Sequence, residues 1–318
     1  MPEKFLLSAL VEGEMAGLRL DQAAARLFPD FSRARLQQWI KAGSLRVDSR
    51  QARARDKLMG GERLTLEAEA DTRDDWLPEE IALDIVHEDE AILVIDKPVG
   101  LVVHPAAGNR QGTLLNALLH HCPRLEGIPR AGIVHRLDKD TSGLMVVAKS
   151  LASHQRLVAA LQQRAVRREY QAVVNGVPTA GGVVDAPLGR HSVHRTRRAV
   201  THGAGSKHAV THYRVLQRYH HYSHLQLRLE TGRTHQIRVH MAHIGHPLVG
   251  DQTYGGRLKL PRGASPALID CLQNFRRQAL HAFRLGLEHP ASGAFMTWEA
   301  PLPADMRGLL DVLEREHG

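Results

Sequence analysis

Apolar residues recur along the chain in distinct rhythms, and each rhythm predicts an element. From about residue 17 the rhythm is helical, with Leu18, Leu20, Ala24 and Leu27 on one face. Ser32 then opens a second helix carrying Leu36, Trp39 and Ile40, which stops at Gly43. Leu45 and Val47 alternate as a short strand, and Arg63-Leu64-Thr65-Leu66 as another after Gly60-Gly61. Helical spacing returns over residues 113–121 and over 150–164, where Leu151, His154, Leu157, Val158 and Leu161 share a face. It appears again after Thr234, a prospective N-cap, with Ile237, Met241 and Ile244 aligned, and over 304–316. Residues 225–229 alternate cleanly and predict a half-buried strand; 166–174, 278–287 and 295–298 also read as strands, and 181–222 as short β-like pieces. Two unbroken apolar runs, 91–95 and 144–148, predict buried strands.

The pattern predicts an α+β protein of two domains. Residues 67–80 are acidic and polar, with Asp71, Asp74 and Asp75, and read as a linker. The boundary is placed so that residues 1–75 hold a small domain with the start of that linker, and 76–318 a larger one.

Charge narrows the partner. The 318 residues carry a net charge of +8, which favours a polyanion over a membrane. Arginine dominates the small domain, with Arg33, Arg35, Arg46, Arg50, Arg53 and Arg55 as candidates for contact with phosphates. Aromatic residues are only 4%, too few for a platform stacking many single-stranded bases. The two cysteines, Cys122 and Cys271, support neither a disulfide framework nor a cysteine zinc site, which fits a reducing compartment. The first residues lack a long apolar stretch and a cleavage site, and no apolar run reaches the length of a membrane span.

Candidate chemistry concentrates in the polar loop ahead of the second apolar run. His135-Arg136-Leu137-Asp138-Lys139-Asp140-Thr141-Ser142-Gly143 places Asp138 between two cations, anchored by a buried strand. Asp140-Thr141-Ser142-Gly143 reads as a turn. An aspartic-protease reading of the same residues needs a second carboxylate, and no second Asp-Thr-Ser-Gly occurs. Histidines 235, 240, 243 and 246 invite a metal reading, but no His-Glu-x-x-His pattern accompanies them, and no metal site is expected.

His-Arg-Leu-Asp-x-x-Thr-Ser-Gly resembles the catalytic motif of the RluA family of RNA pseudouridine synthases. The resemblance continues in family order: Lys97-Pro98-x-Gly100, Arg168-x-Tyr170, Thr231-Gly232-Arg233-Thr234-His235-Gln236-Ile237-Arg238-Val239-His240, and Gln278-Ala279-Leu280-His281-Ala282. In the small domain, Arg19-Leu20-Asp21, Ser32-Arg33 and Ile40-x-x-Gly43-x-Leu45-x-Val47 resemble the S4 RNA-binding domain, with Val47-Asp48-Ser49 where Val-Asn-Gly is usual. The resemblance implies an S4-like domain followed by a catalytic domain with a mixed, largely antiparallel sheet. It also implies an isomerisation that breaks the N1–C1′ bond of uridine and joins C5 to C1′, with no cofactor.

In this reading Asp138 attacks C1′, stabilises positive charge there, or removes a sugar proton. Arg238 is its salt-bridge partner, and Tyr170 lies against the uracil as base or floor. Arg136 fills the gap left by a flipped base, and Arg33, Arg35, Lys97 and His235 contact RNA. Residues 129–140 and 278–282 look most like members acting on the helix 69 stem-loop of 23S rRNA. The implied partner is 23S rRNA or a large-subunit precursor, met by a monomer in the cytoplasm. Other rRNA or tRNA uridines, or a non-catalytic RNA-binding role in ribosome assembly, stay open at this level.

Overall fold

The computed structural model describes residues 4–28, 31, 33–69, 76–105, 109–194, 197–203 and 205–317; the side chains of residues 4, 5, 33–35, 68 and 69 lie outside the description. Two compact units result, Met1–Asp75 and Trp76–Gly318.

The first unit contains β1 (Lys4–Leu10), α1 (Leu20–Leu27), α2 (Arg33–Ala42), β2 (Leu45–Val47) and β3 (Arg63–Glu69). Its three strands form an antiparallel sheet in the order β1-β3-β2. Leu20 and Ala24 of α1 meet Leu36, Trp39 and Ile40 of α2 and Leu45, Leu64 and Leu66 of the sheet in one core. The periodicity of both helices is therefore that of their buried faces. Asp21 is fully buried here and accepts hydrogen bonds from Arg19 and Gln37. At Val47-Asp48-Ser49-Arg50 the chain makes a tight two-residue turn. Asp48 (φ 46°) and Ser49 (φ 66°) adopt the left-handed conformation without glycine, and the Asp48 carboxylate accepts the Arg63 amide at 2.8 Å.

The second unit is built on a nine-stranded sheet. Its elements are β4 (Ile85–Glu88), β5 (Ile92–Lys97), α3 (Leu114–His121), β6 (Ser142–Ala148), α4 (Leu151–Gln162), β7 (Arg167–Asn175) and β8 (Gly182–Asp185). After these come β9 (Leu188–Arg190), β10 (Arg198–Val200), β11 (Val210–Arg218), β12 (Tyr222–Leu229) and α5 (Gln236–His243). The chain ends with α6 (Pro266–Asn274), β13 (Leu280–Glu288), β14 (Phe295–Glu299) and α7 (Ala304–His317). Strands run in the order β4-β5-β6-β13-β7-β12-β11-β8, β14 also pairs with β13, and β9 and β10 form a separate hairpin. The sheet is mixed: β6 and β13 are parallel, and the other paired strands are antiparallel.

The unbroken apolar runs have a direct cause. Met145 and Val147 of β6 pack with Leu114, Leu115 and Leu118 of α3 on one face, while Leu144, Val146 and Ala148 pack with Leu157 of α4 on the other. A strand covered on both faces has no solvent side on which a polar residue would be favoured. β5 divides in the same way, with Leu93 and Ile95 on one side and Ile92 and Val94 on the other. Each such side chain contributes about 1.5–3 kcal/mol on burial.

Four features differ from the sequence reading. β1 was not predicted; its pairing with β3 is a long-range event invisible to local pattern. β4 and α6 were also missed, β4 because its exposed edge lacks clean alternation. Residues 67–69 belong to β3, while Trp76 packs on the larger unit's core and the Glu79 carboxylate accepts the Gly112 amide. Of the prospective acidic linker, residues 70–75 lie outside the described residues. Finally, α5 starts at Gln236, with His235 and not Thr234 at its N-cap.

Candidate active site

The loop carrying Asp138 is fixed at both ends. Leu137 is buried in the main core, and β6 begins four residues after Asp138. Residues ahead of it turn sharply: Arg130, Ala131 and Gly132 all have positive φ (56°, 50° and 78°), a costly geometry for the first two. The segment that leads into β13 and the start of that strand also hold the loop. Gln278 donates to the Thr141 hydroxyl at 3.0 Å, Arg277 to the Asp140 carbonyl at 3.3 Å, and Ser142 and His281 bond at 3.0 Å. Gly143 (φ 117°) sits where β6 meets β13, and any Cβ there would run into the Ala282 backbone.

Lys97 corrects the sequence reading. It does not reach toward RNA. Its side chain is fully buried, and Nζ donates to the carbonyls of Pro98, Leu101 and Lys139 at 2.7, 3.0 and 3.0 Å. Burial pulls its pKa down to about 8. The stem is consumed inside the protein, where the ammonium ties the Asp138 loop to the end of β5.

Arg238 projects from α5 toward this loop. Its Nη1 lies 2.9 Å from Asp138 Oδ2, while Nε and Nη2 hold both oxygens of Asp251 at 2.7 and 2.9 Å. Asp251 is buried and also accepts the amides of Thr253 and Tyr254 at 2.8 and 3.0 Å. Burial works against the Asp251 charge, but Arg238 and the two amides outweigh it and hold the carboxyl below its ordinary value. Burial likewise opposes the Arg238 charge, and Asp251 and Asp138 together raise its pKa. His235 completes the cluster, with Nε2 3.8 Å from Asp138 Oδ1. Burial keeps its pKa below the ordinary value despite the nearby carboxylate.

A cleft of about 540 Å³ opens above Asp138. Arg130, Arg136, Arg164, Arg168, Arg233 and Arg238 all line it, against the carboxylates of Asp138 and Glu230. Arg136 is exposed and Tyr170 is buried, its phenol pushed above the ordinary value chiefly by burial. Arg168 is only 7% exposed, and its Nε has no hydrogen-bond partner. Gly232 makes room for it, since a Cβ there would lie 2.5 Å from Arg168 Nη1. Such a cleft suits a polyanion that brings its own counter-charges.

Asp138, Tyr170, Arg136, His235 and Arg238 therefore share one cleft, as the spacing of the motifs in sequence does not itself require. Arg33 and Arg35 belong to α2, but their side chains lie outside the described residues. Two functional candidates escaped the sequence reading. Asp251 and Tyr254 were given no role; the signal for both was their position after the arginine-bearing helix. Two of the other three histidines have separate structural tasks. His240 is buried between Thr211 and the Ala186 carbonyl, and His246 bonds the Asn175 carbonyl.

Known proteins are similar to this chain. Residues 91–243 match the family model described as RNA pseudouridylate synthase. A Pseudomonas aeruginosa protein named ribosomal large subunit pseudouridine synthase D is 58% identical over 316 residues, covering 99% of this chain and 98% of that one. An Escherichia coli K12 protein of the same name is 53% identical, covering 99% and 97%. The structure of human RNA pseudouridylate synthase domain containing 4 aligns with a TM-score of 0.58 at 28% identity, over 73% of this chain and 93% of that one. With full-length relatives at this identity, the chain belongs to the RNA pseudouridylate synthase family and is an RNA pseudouridine synthase.

Proposed function

We propose that the enzyme isomerises uridines of 23S rRNA in the helix 69 stem-loop, with the Asp138 carboxylate acting at C1′. The observation that carries this is the 2.9 Å pair between Arg238 and Asp138 at the foot of an arginine-lined cleft. The pair orients a carboxylate where a flipped nucleotide would enter. Breaking N1–C1′ and joining C5 to C1′ releases the C5 proton and consumes nothing. Tyr170 lies beside Asp138 in the same cleft and is assigned to the uracil ring; Arg136, exposed on the loop, is assigned to the space the base vacates.

The RNA target draws on the names of the similar proteins, which act on the large ribosomal subunit. Residues 1–75 are assigned as an S4-like RNA-binding domain. In support, Arg46, Arg50, Arg53 and Arg55 are exposed, where each can meet a phosphate.

The test is tritium release from 23S rRNA labelled at uridine C5, in parallel with the Asp138→Asn variant. Release by the wild type, none by the variant, and equal RNA binding by both are expected. Turnover by Asp138→Asn would overturn the assignment of the carboxylate. Modification that maps outside helix 69 would overturn the target.

A further inference from the structure

We propose that Tyr254 is a positioning residue, which fixes the imidazole of His235 as the Nε2–H tautomer so that this N–H faces Asp138. The inference follows from counting donors. The Tyr254 hydroxyl accepts the Arg198 amide at 2.9 Å and lies 2.8 Å from His235 Nδ1. A phenol has one proton to give. Among the described residues Nδ1 is the one acceptor recorded for that proton, so the proton goes to Nδ1, and the neutral ring carries its own proton on Nε2. Nε2 stands 3.8 Å from Asp138 Oδ1, while Arg238 occupies Oδ2. The opposite tautomer would turn a lone pair toward a carboxylate oxygen.

The backbone supports the same purpose. His235 holds φ at 58° at the start of α5, a left-handed conformation that is strained in a residue with a Cβ. That geometry aims its ring between Tyr254 and Asp138. The result is a neutral donor beside the Asp138 oxygen that Arg238 leaves free. It can steer that oxygen without adding a second cation to compete with the arginine.

The role in turnover rests on the assignment of Asp138 above; the tautomer does not. Imidazole ¹⁵N spectra of the full-length protein, with His235→Gln to identify the signal, read the tautomer without any turnover. Nε2–H is expected in the wild type, with a shift toward Nδ1–H in Tyr254→Phe, which keeps the ring over which Arg238 lies at 5.1 Å. Tyr254→Phe should lower kcat by about tenfold at unchanged KM, the worth of one orienting hydrogen bond. The double variant should be no slower than His235→Gln alone, because Tyr254 acts through His235. Nδ1–H in the wild type, an unchanged tautomer in Tyr254→Phe, or additive losses in the double variant would each overturn the proposal. An active Asp138→Asn with the tautomer intact would remove the catalytic assignment and leave the positioning by Tyr254 standing.

Discussion

The guanidinium of Arg238 is gripped by Asp251 in a two-bond fork, Nε at 2.7 Å and Nη2 at 2.9 Å, which leaves Nη1 to reach Asp138. Asp251 does not itself line the cleft, yet it decides where the third bond points. Asp251→Asn would strip a buried guanidinium of the bidentate one of its two charge partners. A loss of about 3–5 kcal/mol in urea unfolding is expected, together with a fall in kcat.

The same pair predicts a pH dependence. The Asp251 carboxyl is held below its ordinary value of 3.8 in the fold. Its contribution is therefore fully present above the unfolded value and is lost as pH falls through the folded one. The stability gap between wild type and Asp251→Asn should be flat from about pH 5 to 8 and shrink below about pH 4. A gap that widened in acid would contradict the pairing.

Lys97→Met separates an internal tie from an RNA contact. The variant strands the carbonyls of Pro98, Leu101 and Lys139, at a cost of about 3 kcal/mol. Turnover should fall because Lys139 adjoins Asp138, while RNA affinity measured by filter binding at a temperature where the variant is folded should not change. Weaker binding with unaltered stability would restore the contact role.

Arg168 offers the reverse trade. Its guanidinium is buried in the cleft with Nε unpartnered, so Arg168→Met should be at least as stable as wild type. If that charge awaits a phosphate, RNA affinity should drop and the slope of log K against log salt should shrink by about 0.7–0.9. An unchanged slope would show that no phosphate reaches it.

Gly143→Ala tests the seam between β6 and β13. The added methyl meets the Ala282 backbone, and the residue's φ of 117° suits only glycine. A drop of more than about 2 kcal/mol in stability, seen as a lower urea midpoint with the slope unchanged, is expected.

Much of this was legible before the fold was known, for identifiable reasons. Residues 144–148 announced a strand buried on both sides because no polar residue could stand on either face. The cores of α1 and α2 were readable from helical spacing alone. What failed were judgements about direction and about distant partners. Lys97 is polar and stands in one of the family-like motifs, but only tertiary structure shows its ammonium turned inward onto three carbonyls. Thr234 has the chemistry of a cap, yet the chain bends at His235 to meet Tyr254, nineteen positions on. β1 needed β3 to exist, and Asp251 needed Arg238; neither local periodicity nor residue type can state such a pairing.

The anchoring of the Asp138 loop by Arg277, Gln278 and His281 has a consequence for the order of events during synthesis. These contacts join residues 137 and 139 positions apart. A chain still emerging from the ribosome holds the loop's own residues long before it holds their anchors. The carboxylate thus gains its fixed geometry only after β13 has been made and slotted beside β6, one of the slowest kinds of contact to form. The loop's final geometry therefore arrives late, after most of the chain has been made.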